Sequence, residues 1–440
     1  MGTVIGTKLE ERKLQTGTKE RHTGAAIGVL QKLGPGLITG ASDDDPSGIA
    51  TYSQVGARFG YALLWTMVLT YPLMAAIQEI SARIGRVTGC GIAANLRKSY
   101  PKPLLYCVLL VVSVANIFNL GADIGAMGSA MQLLLPKTSG LFTVVFGVGS
   151  LVGVLFMPYS TYAKYLKWLT LSLFAYVGVV FFAKVSWSAV LRATVLPHFE
   201  PTREYLTALV AVLGTTISPY LFFWQASQEV EEVRNNRGEK ALKHAPSQAP
   251  AQLERIRLDT YLGMGFSNIV AFFIILTSAA TLHAHGITEI STSAQAAQAL
   301  EPLAGRFAFV LFVCGIIGTG LLAVPVLAAS ACYGVGEACR WKTSLERKPA
   351  DAVRFYGAIT IATLIGLSLN FMHIDPVKAL FWGAVLNGVV AAPLMAVIMF
   401  MASSRKVMGK FVVPPYLGAM GWLATSVMFC ACIGALWMWK

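Results

Sequence analysis

The residues with the clearest chemical potential are three consecutive aspartates, Asp43, Asp44 and Asp45, followed at once by Pro46 and Gly48. They interrupt a segment that is otherwise apolar enough to span a membrane. A carboxylate near the middle of a bilayer costs at least about 2.5–3.5 kcal/mol, so such acids usually face a polar cavity on an ion path. Proline and glycine weaken a helix, and irregular backbone at membrane depth is tolerated only beside such a cavity. The cluster therefore predicts a binding site.

A second interruption lies in the sixth apolar segment, where Gly214, Thr215 and Ser218 precede Pro219 and Tyr220. Taken alone, Pro219 is explained by an ordinary kink, because prolines are common in membrane helices. The two interruptions are five segments apart, however, and broken helices at matching positions of two halves indicate a transporter site between inverted repeats. We therefore expect helices one and six to be broken and to meet at one site.

The elements that must position these residues are membrane helices. Hydrophobic residues make up 55% of the chain, charged residues only 13%, and the mean hydropathy is +0.61, whereas an ordinary soluble domain has about 25% charged residues. Ten long uncharged runs and the interrupted first segment, about Leu33–Ala57, predict an all-α integral membrane protein with eleven transmembrane helices. The uncharged runs are Phe59–Gln78, Leu104–Ala122, Thr138–Ala163, Trp168–Ala183, Tyr205–Gln228, Thr260–Leu282, Phe307–Gly336, Phe355–Met372, Ala379–Ser404 and Phe411–Trp439.

The distribution of positive charge predicts the orientation. With a cytoplasmic amino terminus, the inner segments hold 27 of the 35 lysines and arginines, as expected because positive residues collect in cytoplasmic loops. The carboxyl terminus is then extracytoplasmic, and the basic net charge needs no nucleic-acid partner. Residues 1–32 resemble a disordered cytoplasmic tail without a signal peptide. We expect a monomer in the lipid bilayer of the plasma (inner) membrane, with residues 33–440 as one transporter domain.

Several motifs carry a resemblance to a known family. The chain resembles the NRAMP (natural resistance-associated macrophage protein) family of divalent metal transporters. The resemblance implies a leucine-transporter-like fold with two inverted five-helix repeats, about residues 33–185 and 204–404, and an extra helix at about 411–439. The motifs are Gly34-Pro35-Gly36-Leu37, Asp45-Pro46-Ser47-Gly48, Phe59-Gly60-Tyr61-Ala62-Leu63-Leu64-Trp65, Ala82-Arg83-Ile84-Gly85-Arg86-Val87-Thr88-Gly89 and the run from Ser404-Arg405 to Met408-Gly409.

The chain departs from the family at two metal ligands. The family motif Asp-Pro-Gly-Asn keeps its aspartate as Asp45 but has Gly48 at the asparagine position, and Met-Pro-His is replaced by Ser218-Pro219-Tyr220. A thioether selects softer metals, whereas oxygen ligands and water suit Mg2+, Ca2+ and Mn2+. The losses also widen the site, and Mg2+ usually keeps several waters. The pattern is similar to the NRAMP-related magnesium transporter branch and predicts Mg2+ transport with Mn2+ tolerated.

The same comparison predicts weak or absent proton coupling. The family's histidine in span six is Tyr220 here, and its acid pair in span three aligns with Leu120 and Asp123. A phenol hardly ionises at neutral pH, whereas histidine titrates there. Asp123, Tyr220, Pro46 and Pro219 are assigned to the ion path and its gating.

Asp45 is the predicted central ligand, because a charged oxygen contributes most to holding a hard dication. Consecutive helical positions are about 100° apart, so three adjacent acids cannot all face one ion unless the chain is unwound. Asp44 is the preferred second carboxylate, and Asp43 is equally well explained as a protonated or hydrogen-bonded residue. The family's backbone ligands correspond to the carbonyls of Ser42 and Thr215.

Three further positions complete the candidate metal site. Ser218 is expected to bind the ion directly or through water, and Gly48 occupies the position of the missing asparagine ligand. Asn387 lies near the position of the family's gating glutamine, but a hydrogen bond from its side-chain amide to another helix explains it equally well.

Other functions remain open. The leading alternative is a proton-coupled importer of Mn2+ or Fe2+, and the second is a carrier of a cationic or amino-acid solute on the same fold. A channel is disfavoured by the paired broken helices, and an enzyme by the lack of a recognisable catalytic motif. No cofactor is expected; the divalent cation is the substrate.

Overall fold

The computed structural model describes residues 35–136, 140–157, 161, 170–236, 238–372 and 374–438, and in these residues the regular elements are all helical. The predicted tail, residues 1–32, lies outside them. The α-helices, numbered in chain order, are α1 (Pro35–Asp43), α2 (Pro46–Phe59), α3 (Trp65–Thr88), α4 (Ile92–Ser99), α5 (Lys102–Gln132), α6 (Leu141–Phe156), α7 (Phe174–Val179), α8 (Trp187–Val195), α9 (Arg203–Thr216), α10 (Pro219–Asn235), α11 (Ala249–Thr281), α12 (Ser293–Gln298), α13 (Glu301–Ala304), α14 (Ala308–Ala338), α15 (Val353–Leu369), α16 (Pro376–Ser403), α17 (Arg405–Met408) and α18 (Pro415–Trp437).

Six helical segments in the described residues are long and apolar enough to cross a membrane, and two shorter apolar helices, α6 and α15, accompany them. The fifth predicted span, Trp168–Ala183, is described only in part, as a 3-10 turn at Thr170–Leu173 followed by α7. The count of eleven therefore stays a prediction. The six segments are Lys102–Gln132, Arg203–Asn235, Pro246–His285, Ala308–Ala338, Pro376–Ser403 and Pro415–Trp437.

The predicted break in the first segment is confirmed, with α1 ending at Asp43 and α2 beginning at Pro46. Asp45 caps α2, and its side chain accepts a hydrogen bond from the Gly48 backbone amide at 2.7 Å. A proline at the first helical position fits this arrangement because it has no N–H to leave unpaired. The acids and the proline together stop one helix and start the next.

The predicted break in the sixth segment is confirmed as well, between α9 and α10. Pro219 again takes the first helical position, and Ser218 precedes it in an extended conformation. The Ser218 hydroxyl does not cap α10; it donates instead to the Thr215 carbonyl at 2.8 Å and the Gly214 carbonyl at 3.2 Å.

The second predicted span, Phe59–Gln78, is placed too early, since α3 begins six residues later and ends at Thr88. Glu79 and Arg83, one helical turn apart, form an ion pair, with Arg83 Nε donating to Glu79 at 2.8 Å. Arg86 is fully buried and lies 2.6 Å from the Glu239 carboxylate. These charges ended the uncharged run, but their partners allow the helix to continue through them.

Packing brings both breaks into the middle of the bundle. Helices α1 and α2 lie against α11, α9 lies against α16, and α5 packs against α14, α15 and α16. The bundle has one end, here called the basic end, where Arg86 and Arg255 meet the carboxylate of Glu229. The first turn of α1 lies at this end because the Gly36 amide donates to Asp259 at 2.7 Å. Helix α2 consequently runs toward the opposite end.

Candidate metal-binding site

The two breaks meet at the carboxylate of Asp45. One oxygen accepts from the Gly48 amide, and the other lies 3.3 Å from the Tyr220 hydroxyl. The same hydroxyl lies 3.1 Å from the Ser42 carbonyl oxygen. A side chain at the start of α10 therefore bridges two of the predicted ligands, one on each side of the break between α1 and α2.

Gly48 of α2 lies close to Thr215 of α9, where the two broken helices are in contact. A Cβ atom at this position would lie 3.2 Å from Thr215 Oγ1 and 3.4 Å from Asp45 Oδ1. The first distance is tighter than most Cβ contacts in proteins, so the glycine allows α2 to approach Thr215 of α9 more closely than a larger residue would. The predicted Thr215 carbonyl ligand accepts the Ser218 hydroxyl. This bond uses the hydroxyl hydrogen of Ser218, whose oxygen lone pairs remain available to a cation.

The side chains of Asp43 and Asp44 contact α11, whereas that of Asp45 contacts Tyr220 of α10. The Ser267 hydroxyl of α11 lies 2.8 Å from Asp43 Oδ2 and 2.9 Å from Asp44 Oδ1. One hydroxyl hydrogen can serve only one of these oxygens at a time. Among the described residues, no group of three or more His, Cys, Asp or Glu side chains could hold a metal ion, so the three acids do not converge.

Asp123 on α5 is fully buried, and neither of its carboxylate oxygens has a hydrogen-bond partner among the described residues. Its electrostatic neighbours are Asp45 and the Ser47 backbone amide, which lies nearby without meeting hydrogen-bond geometry. Asn119, one turn earlier, donates to Asn387 Oδ1 at 2.7 Å. Asn387 therefore forms the interhelical hydrogen bond that was the alternative to a role as metal ligand.

The charge of this region is uncompensated by protein cations. Within the described part of the chain, the ion pairs involve none of Asp43, Asp44, Asp45 or Asp123. Burying a carboxylate without a counter-charge is costly. The polar atoms around these carboxylates are carboxylate, carbonyl and hydroxyl oxygens, which are the ligands that hard divalent cations prefer. The arrangement can hold a cation between helices α1, α2 and α10.

A cavity of about 210 Å3 lies beyond the site, toward the opposite end of the bundle from the basic end. Its walls come from α2, α9, α16 and the segment before α12, and include the charged side chains Arg58, Glu204, Glu289 and Lys378. Gln54 of α2 closes one side, accepting the Ile290 amide at 2.8 Å. The cavity runs along α2, and its charged and polar side chains suit a water-filled space.

Sequence reasoning missed the residues that hold the broken helix in place. Ser267 is a polar residue within an apolar helix, which was the only available signal. Thr39 of α1 donates to Gln225 of α10, and Asp259 binds the first turn of α1. Asp259 lies one turn after Arg255 in α11, and this spacing marked a charged helix face without identifying its partner.

A helical bundle whose two interrupted helices meet at buried carboxylates defines an integral membrane protein of the leucine-transporter-like class. Two solved structures share the fold. The Eremococcus coleocola manganese transporter, in complex with an aromatic bis-isothiourea substituted compound, matches with a TM-score of 0.71 and 16% identity, covering 92% of this chain and 86% of that one. A nucleobase-cation-symport-1 family transporter in a closed conformation matches with a TM-score of 0.52 and 12% identity, covering 92% of each. The predicted fold class is confirmed.

The chain belongs to the natural resistance-associated macrophage protein-like family, whose model matches residues 36–438. It is 25% identical over 413 residues to the divalent metal cation transporter MntH of Klebsiella pneumoniae subsp. pneumoniae, covering 91% of this chain and 92% of the relative. It is 26% identical over 409 residues to the protein of the same name from Yersinia enterocolitica, covering 91% and 93%. The predicted family is confirmed, and these relatives are named as transporters, not enzymes.

Proposed function

We propose that this protein moves divalent metal cations into the cytoplasm by alternating access, with Asp45 as the central ligand. The observation that carries the proposal is the convergence of the Asp45 carboxylate and the Ser42 carbonyl on one hydroxyl, that of Tyr220. A cation that binds these two oxygens displaces the Tyr220 hydroxyl as their partner. The relatives are named as divalent metal cation transporters and a structural match as a manganese transporter, and these names support the same substrate class.

The proposed preference is Mg2+ with Mn2+ tolerated. Ser218 stands where the family has a thioether and Gly48 where it has an asparagine. With these two ligands missing, water is left to complete the coordination, as suits Mg2+, which usually keeps several waters. The carbonyl of Thr215 and the hydroxyl of Ser218 supply further oxygens, directly or through water. Oxygen ligands discriminate poorly against hard ions, so we expect the chain to carry Mg2+ where a thioether site would favour softer metals.

Transport is proposed to be uncoupled from protons or only weakly coupled. Tyr220 is fully buried at the position of the family's histidine, and its hydroxyl contacts Asp45 and Ser42. A tyrosine in this position lacks the ready exchange of protons that a histidine provides near neutral pH. Asp123 then belongs to the ion path.

The test is uptake of Mg2+, Mn2+, Ca2+ and Cd2+ into proteoliposomes containing the full chain, with Asp45→Ala as the inactive control. We expect saturable Mg2+ and Mn2+ uptake that Asp45→Ala abolishes. Ser218→Met should shift preference toward Cd2+ and Mn2+, whereas Ser218→Ala should lower uptake without that shift. Uptake that survives Asp45→Ala rejects the proposed site, and an unchanged preference in Ser218→Met rejects the ligand-softness argument.

A proton-coupled importer of transition metals is the second candidate, favoured by the manganese transporter among the structural matches. A pH-sensitive dye inside the same vesicles separates the two. Metal uptake without matching acidification supports the uncoupled mechanism, and stoichiometric proton entry supports the second candidate.

The membrane placement belongs to the same proposal. The protein is a monomer of the plasma (inner) membrane with its amino terminus in the cytoplasm and its carboxyl terminus outside, as the position of the basic residues indicates. Reporter domains fused to each terminus test this topology, and an inaccessible carboxyl terminus in intact cells would refute it.

A further inference from the structure

We propose that Asp123 on α5 supplies the second carboxylate for the transported dication, opposite Asp45. The inference rests on the proposed function and deepens it by assigning a ligand from a helix outside the two breaks. It replaces Asp44, the residue that the sequence favoured for this role.

The contacts of Asp43 and Asp44 are made elsewhere. Both carboxylates lie within hydrogen-bond distance of the Ser267 hydroxyl, at 2.8 and 2.9 Å. Asp45 instead faces the Gly48 amide and the Tyr220 hydroxyl. A dication bound at Asp45 would therefore reach Asp44 only after the Ser267 contact breaks and the side chain turns away from α11.

Asp123 is held by no such contact. It is fully buried, and both of its oxygens lack a hydrogen-bond partner among the described residues. Its helix α5 packs against α2, the helix that Asp45 caps, and Asp45 is its charged neighbour. A buried carboxylate without a partner pays its full desolvation cost, so a cation shared with Asp45 is a specific reason for its presence.

The charge balance favours a pair of carboxylates over one. A dication and two carboxylate ligands, Asp45 and Asp123, together make a neutral unit, whereas Asp45 as the single carboxylate ligand would leave the ion and its ligand with a net charge of +1. Buried net charge is strongly unfavourable, and Mg2+ is usually held through one or two carboxylates and water. Asn119 lies one turn before Asp123 on the same face of α5, and its Oδ1 atom also lacks a partner in the described residues. It offers a neutral oxygen to a bound water.

The test is dication affinity of the purified full chain, measured by calorimetry with Mn2+ and Mg2+. Even residues that only orient metal ligands contribute about 10–100-fold to affinity, so Asp123→Asn should weaken binding at least about tenfold. Asp123→Glu, which keeps the charge, should weaken it less. Asp44→Asn should weaken binding less than Asp123→Asn does, and the exposed control Asp351→Asn should stay within about threefold of the wild type. An Asp123→Asn protein within threefold of wild type, or an equal loss in Asp44→Asn, would overturn the inference.

A second measurement serves if Asp123→Asn does not fold. Electron-nuclear double resonance of bound Mn2+, in wild-type and Asp44→Asn protein with 13C-labelled aspartate carboxylates, counts the carboxylate ligands. Two ligands in both proteins support the assignment, and one ligand in either contradicts it. The proposed function fails separately, if wild-type protein binds no dication or if Asp45→Asn leaves binding unchanged.

Discussion

The hydroxyl of Tyr220 competes with the dication for its ligands, and Tyr220→Phe removes that competitor without changing the shape of the ring. The hydroxyl lies 3.1 Å from the Ser42 carbonyl and 3.3 Å from Asp45 Oδ2. Both distances are long for an O–H···O hydrogen bond, whose common value is about 2.7–2.8 Å. A hydrogen bond to a charged group contributes about 1.5–3 kcal/mol, and the long distances place this one near the lower value.

Loss of about 1.5 kcal/mol from the ion-free state corresponds to about tenfold tighter dication binding, since each 1.4 kcal/mol is a factor of ten. Calorimetry with Mn2+ on the purified full chain measures the change directly. Transport is expected to saturate at lower concentration, because the ion no longer has to displace the hydroxyl.

The matched control is Tyr333→Phe. Tyr333 is also buried, and its hydroxyl donates to the carboxylate of Glu231, away from the proposed site. This variant should lose stability without changing dication affinity. If Tyr220→Phe binds Mn2+ more weakly than wild type while Tyr333→Phe binds normally, Tyr220 is a metal ligand and the competition argument is wrong.

Three further predictions address the architecture around the site. Gly48→Ala should reduce Mg2+ uptake severalfold, because the added Cβ would lie 3.2 Å from Thr215 Oγ1. Adding Thr215→Ala, which keeps the backbone carbonyl, should restore uptake; a double variant that stays impaired would show that this contact is not the cause. Arg86→Met leaves Glu239 and Glu229 without this partner, and the loss should cost about 3–5 kcal/mol of stability, measured as a lower thermal unfolding temperature. The control Glu200→Gln, in the exposed pair with His198, should leave the unfolding temperature unchanged. Asp259→Asn weakens the acceptor of the Gly36 amide, so amide hydrogen exchange in α1, measured by mass spectrometry, should be about tenfold faster for a loss of about 1.5 kcal/mol. The control is Glu254→Gln at an exposed position of α11; equal exchange in both variants would refute the role of Asp259.

The positions of both breaks were predictable because their causes are local. Pro46 and Pro219 suit the first position of a helix, and acids or small polar residues, which favour a helix start over a helix interior, precede each of them. The pairing of Glu79 with Arg83 was predictable for the same reason, since residues four apart share a helix face.

The partners of the site residues were not predictable, because they are distant in the chain. Ser267 follows Asp43 by 224 residues, and Asn387 follows Asn119 by 268. No periodicity connects such positions, and only the packing of α11 against α1 and of α16 against α5 brings them together. The end of α3 was misplaced for a related reason, because the buried Arg86 finds its partner Glu239 in a loop far along the sequence.

The two ends of a broken helix divide the electrostatic work of the proposed site. The carbonyls of Ser42 and Thr215 lie in the last turns of α1 and α9, where a helix is partially negative and attracts a cation. Asp45 caps the first turn of α2, where the partial positive charge and the Gly48 amide stabilise its ionised form. The break thus offsets part of the cost of burying the Asp45 carboxylate while presenting carbonyl oxygens beside it. A continuous helix offers neither end at this depth, which is why the acid cluster and the proline are needed at the same place.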